Sequence, residues 1–105
     1  MIKTLSHQEY LHEKLKNPTE AAAYLNSITQ DGSLKFILKA IRNIVDAQGG
    51  IGKLSRKTKL GRTSLYKTLS SSGNPEVGSL QVILAAFGVR IGFLPVAPGR
   101  PSRAI

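Results

Sequence analysis

The feature that most constrains this chain is the segment 50–74, which reads GIGKLSRKTKLGRTSLYKTLSSSGN. Two short stretches with apolar residues at helical spacing flank a break at Lys59-Leu60-Gly61. The segment also carries several basic residues and no acidic one: Lys53, Arg56, Lys57, Lys59, Arg62 and Lys67. This pattern predicts a helix-turn-helix, a pair of short helices of which the second can enter a groove of DNA.

Helical signals also precede this segment. Ser6 can cap a first helix that ends near Lys16, and Asn17 can cap a second helix with Pro18 at its first position. A third helix, for which Ser33 is the candidate cap, carries an apolar stripe along one face: Leu34, Ile37, Leu38, Ile41, Ile44 and Val45. We expect this third helix to form the centre of the core.

The end of the chain predicts one more helix and a strand. The helix is expected over about residues 79–87, and apolar residues alternate through residues 89–96 as in a short β-strand. Because a lone strand leaves its backbone groups without partners, either residues 1–5 or the same strand of a second subunit must pair with it. The two-fold antiparallel pair is favoured, since it satisfies both chains at once. Residues 97–105 are rich in Pro, Gly, Ser and Arg and are expected to be a flexible tail.

A length of 105 residues suits one domain with a modest core. We therefore predict a single all-α domain over residues 1–96, a compact helical bundle of about six helices. The helix-turn-helix and the loop that follows it occupy residues 50–74, and the short C-terminal β-strand occupies residues 89–96.

Apolar positions divide the helix-turn-helix into two faces. The inner face is expected to hold Ile51, Leu54, Thr58, Leu60, Leu65 and Leu69. The polar residues on the outer face are the candidate DNA contacts: Lys53, Arg56, Lys57, Arg62, Thr63, Ser64, Tyr66 and Lys67.

The chemistry of these outer residues suggests two roles. Arg62, Thr63 and Ser64 begin the second helix, where side chains reach base edges, and Arg can bond guanine while the hydroxyls bond bases or phosphates. The outer lysines and Arg56 are better suited to phosphates, which set register and salt dependence. Tyr66 could either stack on the sugar-phosphate backbone or pack against the protein.

Composition narrows the partner further. The net charge of +9 indicates a polyanion, with nucleic acid the first candidate and an anionic membrane the second. No apolar run approaches the roughly 18 residues of a membrane-spanning helix, and the start of the chain lacks the apolar core of a signal peptide. The chain has no cysteine, which excludes disulfides and thiolate metal sites. We expect a cytoplasmic protein.

Catalytic and cofactor motifs are missing from the pattern. His7 and His12 are five residues apart, a spacing that does not place both on one helix face, and no carboxylate cluster accompanies them. The sequence GGIGK over residues 49–53 follows a helix and lacks the spacing of a phosphate-binding P-loop. We therefore expect no enzyme activity, no metal and no cofactor.

Several segments together resemble a known family. They are TSLYKTLSSSGNPEVGSLQVILAAFGVRIGF, the upstream PTEAAAYLNSI, and LKFILKAIRNIVDAQGGIGKLSRKT. The chain resembles addiction-module antidote proteins, HigA-like antitoxins of the XRE helix-turn-helix type, from about residue 8 to residue 96. The resemblance implies a lambda-repressor-like helix-turn-helix, a homodimer on a palindromic operator in double-stranded DNA, and a small toxin, typically an mRNA-cleaving nuclease, that the protein neutralises. By position, it also implies that Arg62, Thr63, Ser64 and Lys67 belong to the DNA-reading helix.

One residue departs from that family pattern. Lys59 occupies a turn position where glycine is usual and where φ is often positive, so the lysine would cost about 1 kcal/mol if φ is positive there. Gly61 could instead shift the turn.

The sequence leaves three functions to compare. They are an antitoxin that represses its own operon, a stand-alone prophage-type repressor without a toxin, and a protein-interaction module whose charge serves solubility or RNA contact. The basic segment 50–74 favours the first two, and only the family resemblance separates them.

Overall fold

The computed structural model describes residues 7–96, and these residues form six α-helices and no strand. The helices are α1 (His7–Lys14), α2 (Pro18–Asp31), α3 (Leu34–Ala47), α4 (Gly50–Thr58), α5 (Arg62–Thr68) and α6 (Val77–Ala86). The prediction of an all-α bundle of about six helices is therefore confirmed. The predicted cap at Ser6, the alternative pairing of residues 1–5 and the tail 97–105 lie outside the described residues.

Helix α3 forms the centre of the core, as its apolar stripe predicts. Its buried stripe residues begin at Leu38 and continue through Ile41, Ile44 and Val45. The stripe prediction is wrong at its first position, because Leu34 is exposed in the first turn of α3, ahead of the buried part of the helix. Helices α1, α2 and α4 pack against α3, while α4 also contacts α5 and α6.

The start of α2 follows its sequence signals. The side-chain oxygen of Asn17 accepts hydrogen bonds from the backbone N–H of Thr19 at 2.8 Å and of Glu20 at 3.3 Å. These bonds satisfy two of the amides that have no partner within the helix. Pro18 occupies the first helical position, where its missing N–H costs nothing.

The cap of α3 differs from the prediction. Ser33 stands at the N-cap position, but its side chain makes no capping hydrogen bond. Its backbone carbonyl instead accepts from the N–H of Phe36 at 3.0 Å and of Ile37 at 3.1 Å. The first turn of α3 is therefore closed by the backbone of Ser33 rather than by its hydroxyl.

Glycines with positive φ occur at two places where a helix ends. Gly49 and Gly50 have φ of 113° and 88°, so α3 passes into α4 through a conformation that side-chain-bearing residues rarely adopt. At the end of α6, Gly88 has φ of 78°, and the N–H of Val89 bonds the carbonyl of Leu84 at 3.0 Å. This second pattern is a Schellman motif, which places residue 89 against the core and directs the chain away from α6.

The C-terminal strand predicted over residues 89–96 is absent from the single chain. No other segment within residues 7–96 pairs with these residues as a strand, so the described part of the chain offers their backbone groups no ladder. Phe93 and Leu94 within this segment are 92% and 89% exposed. The sixth helix also begins at Val77, two residues before its predicted start.

None of the helices built from residues 7–96 has the length and apolar character needed to cross a membrane.

Candidate nucleic-acid interface

Hydroxyl groups close the turn between α4 and α5. The hydroxyl of Ser55 donates to the carbonyl of Leu60 at 2.6 Å. The hydroxyl of Thr58 donates to the carbonyl of Leu54 at 2.8 Å and accepts from the N–H of Leu60 at 3.2 Å. Ser55 suits this position because it is small enough for the helices to approach, and its hydroxyl also ties the turn to α4.

Lys59 carries the unusual backbone conformation of this turn. Its φ is 63° and its ψ is 16°, in the left-handed region that favours glycine. The alternative, that Gly61 shifts the turn, is wrong, because Gly61 has an ordinary φ of −66°. Lys59 is the only residue other than glycine with positive φ among the described residues.

Apolar side chains on its inner face and one long-range hydrogen bond hold α5 in place. Leu65 and Leu69 are buried in the core, as predicted. The guanidinium of Arg42 in α3 donates to the backbone carbonyl of Leu69, just after the end of α5. The sequence did not single out Arg42. It lies off the apolar stripe of α3, as the other basic residues of that helix also do.

The structure places all the candidate DNA contacts on the exposed surface of one pair of helices. Helix α4 carries the basic members, which are Lys53, Arg56 and Lys57, and helix α5 carries the others, which are Arg62, Thr63, Ser64, Tyr66 and Lys67. Tyr66 is 64% exposed, so most of its side chain is accessible on this surface.

This surface keeps its positive charge. The acidic residues nearest in sequence are Asp46 and Glu76, on either side of the segment. The ion pairs that the described residues form, Lys14–Glu20 at 3.6 Å and Lys16–Glu13 at 3.1 Å, join residues of α1, α2 and the connection between them. The cations of α4 and α5 therefore have no carboxylate partner within residues 7–96.

Two of these cations lie side by side over a glycine. A Cβ placed on Gly52 would stand 3.0 Å from Nη2 of Arg62 and 3.7 Å from Nη1 of Arg56. The Arg62 side chain thus reaches back from α5 to the backbone of α4, and the missing side chain of Gly52 leaves room for it.

Lys57 has a partner that its sequence position did not suggest. Its ammonium group donates to the backbone carbonyl of Ala86 at 2.9 Å. The positive charge lies at the C-terminal end of α6, where it complements the helix dipole and satisfies a carbonyl that has no partner within the helix. Lys57 therefore joins α4 to α6.

The chemical capacity of this surface is to donate hydrogen bonds and to attract anions. Ammonium, guanidinium and hydroxyl groups are all donors, and they lie together on helices that the core holds in place. Within residues 7–96, no three histidine, aspartate or glutamate side chains come close enough together to hold a metal ion.

Comparison with known proteins places the chain in a family. A family model described as "Probable addiction module antidote protein" matches residues 2–95. An uncharacterised protein of Haemophilus influenzae (strain ATCC 51907 / DSM 11121 / KW20 / Rd) is 31% identical over 78 residues, which cover 74% of this chain and 79% of that protein. No solved structure matches the chain. Since the family model spans nearly the whole sequence, the chain belongs to the family of probable addiction module antidote proteins.

Proposed function

We propose that this protein is a sequence-specific DNA-binding antitoxin that neutralises a toxin of its addiction module and represses its own operon. The observation that carries the DNA-binding part is the exposed, basic surface of α4 and α5, which has no carboxylate partner among the described residues. Two short helices joined by a three-residue turn are the arrangement of a helix-turn-helix, and in that motif the second helix lies in the major groove.

Helix α5 is the proposed reading helix. The hydroxyls of Thr63 and Ser64 lie exposed near its start, and the ammonium of Lys67 lies exposed one turn further on. Hydroxyls and ammonium groups can bond base edges in the major groove. The exposed ring of Tyr66 is free to stack on the sugar-phosphate backbone.

Lys53 and Arg56 on α4 are proposed phosphate contacts. Lys57 is a weaker member of this group, because its ammonium would have to exchange the carbonyl of Ala86 for a phosphate oxygen.

A homodimer is the proposed DNA-binding form. Residues 89–96 have no regular secondary structure in the single chain, and Phe93, Leu94 and Val96 are exposed there. Antiparallel pairing with the same residues of a second copy would satisfy the backbone of both chains and bury part of these side chains at the interface. A two-fold dimer in turn requires a palindromic operator, with half-sites about one helical turn, roughly 34 Å, apart.

The toxin follows from the family. An antidote of an addiction module implies a toxin that it counteracts, so family membership favours the antitoxin over a stand-alone repressor. We propose that neutralisation occurs by binding, without a catalysed reaction, a metal or a cofactor. The toxin surface is proposed to lie outside the α4–α5 pair, on α1 and α2 or on the C-terminal segment, so that DNA and toxin bind different regions.

Two measurements test the proposal with the full chain. Fluorescence anisotropy should show tighter binding to a duplex from the region upstream of the gene than to a scrambled duplex of the same composition. Equal affinity for both duplexes would contradict sequence-specific binding. Co-expression with the product of the adjacent reading frame should restore growth if that product is the toxin, and a non-toxic neighbour would favour the stand-alone repressor.

A further inference from the structure

Arg56 and Arg62 form an unusual pair of like charges. Arg56 lies four residues after Gly52 and therefore on the same face of α4. Arg62 approaches the same point from α5, so that both guanidinium groups come within 4 Å of the position that a Cβ on Gly52 would occupy. Neither arginine makes a hydrogen bond or an ion pair with any other described residue.

Such a pair is suited to hold an anion. Two positive guanidinium groups this close repel one another when no anion is present. An oxyanion between them removes that repulsion and accepts hydrogen bonds from both. The planar donors of arginine match the oxygens of a phosphate, and these charge-assisted bonds are stronger than neutral ones.

We propose that Arg56, Arg62 and the space left by Gly52 form one site for a phosphodiester group of duplex DNA. Arg62 is then a positioning residue that fixes the start of α5 against the DNA backbone. Base reading falls to Thr63, Ser64 and Lys67. This assignment differs from the role that the sequence alone suggests for Arg62, which is a contact to guanine.

The inference rests on the proposed function for the source of the phosphate. Inorganic phosphate offers the same chemistry without DNA, so the two sources are tested separately. A duplex from the upstream region and a scrambled duplex test the DNA phosphate, and inorganic phosphate tests the anion site alone.

The first experiment measures affinity of the full chain for both duplexes over a series of salt concentrations. Arg56→Ala and Arg62→Ala should each weaken binding to both duplexes by the same factor, about tenfold. The double variant should be little weaker than either single variant, because both arginines serve one phosphate. Its slope of log K against log salt should fall by about one unit rather than two. Lys35→Ala removes the same charge from the first turn of α3 and should leave the slope unchanged.

The second experiment fills the space over Gly52. Gly52→Leu places an uncharged side chain where the two guanidinium groups converge, and it should weaken binding to both duplexes about as much as the double variant. Gly78→Leu is the matched control, since a Cβ on Gly78 meets nothing within 4 Å. Circular dichroism at the assay temperature confirms that each variant is folded.

Three results would overturn the single phosphate site. The first is a loss at Arg62→Ala confined to the upstream duplex, which would make Arg62 a base contact. The second is a slope that falls by about two units in the double variant, which would mean two separate phosphates. The third is a folded Gly52→Leu variant with unchanged affinity.

A wild-type protein that binds neither duplex contradicts the proposed function instead. The anion site is then judged by melting temperature in sodium phosphate against sodium chloride of equal ionic strength. Stabilisation of the wild type but not of the double arginine variant supports the site, and equal behaviour of the two proteins overturns it.

Discussion

Lys59 offers a direct test of the backbone geometry that orients α5. Its φ of 63° places the Cβ close to the following carbonyl oxygen, a conformation that costs an L-residue about 1–2 kcal/mol. Lys59→Gly removes this cost. The unfolded chain of the glycine variant is more flexible, however, and this offsets about 0.5–1 kcal/mol of the gain. The Lys59 side chain is exposed and makes no hydrogen bond with the described residues, so its removal loses no contact.

The expected net effect of Lys59→Gly is a stabilisation of about 0.5–1 kcal/mol. For a domain of this size, a change of 1 kcal/mol shifts Tm by about 4–8 °C, so the melting temperature should rise by several degrees. Lys59→Ala loses the same charge but keeps the Cβ, and it should not be stabilised. The difference between the glycine and alanine variants therefore isolates the backbone strain.

Thermal and urea unfolding followed by circular dichroism provide the assay, at one fixed protein concentration because a dimer would make Tm depend on it. Lys39 is exposed in the middle of α3 and gives the matched control. There the order should reverse, since glycine in a helix interior is about 1 kcal/mol worse than alanine. If the glycine variant at residue 59 is no more stable than the alanine variant, Lys59 does not hold positive φ in solution and the reasoning is refuted.

Three further perturbations test other contacts. Arg42→Met should lower the free energy of unfolding by about 1–2 kcal/mol in urea titrations, because the part-buried carbonyl of Leu69 loses a charged donor; a neutral result would mean that water replaces the guanidinium. Asn17→Ala should lower the free energy of unfolding by about 1 kcal/mol, whereas Asn17→Asp should keep most of that stability because its carboxylate can still cap α2. Equal stability of the two variants would show that the cap contributes nothing. Phe93→Glu should raise the dimer dissociation constant at least about a hundredfold in sedimentation equilibrium, since two buried phenylalanines contribute about 1.5–3 kcal/mol each. Gln81→Glu adds the same charge on the exposed surface of α6 and should leave the dimer intact, whereas a wild type that is already monomeric would remove the proposed interface.

Local signals predicted most of the fold. The six helices follow from apolar spacing and from helix caps such as Asn17 with Pro18, which act within a few residues of chain. Local signals alone did not predict features that need a partner from elsewhere in the chain. Residues 89–96 have the alternation of a strand, but a strand exists only when a neighbour supplies its hydrogen bonds.

The candidate site likewise has features that local signals predict and features that depend on tertiary contacts. Exposure of the polar residues on α4 and α5 was predictable, because leucines at helical spacing determine which side faces the core. The directions of the long cationic side chains were not predictable. Lys57 donates to α6 and Arg62 lies against Gly52, and these contacts depend on which backbone groups the packed helices bring near.

By itself, the sequence determined that the chain is helical and that its basic segment contains a tight turn and no acidic residue. Helix periodicity and charge can be determined in this way because they are properties of neighbouring residues. Only the tertiary structure decided that Lys59, rather than Gly61, adopts positive φ. It also decided that the guanidinium groups of Arg56 and Arg62 meet over one glycine. The physical reason is that both features arise where the two sides of a turn pack within a few ångströms of each other.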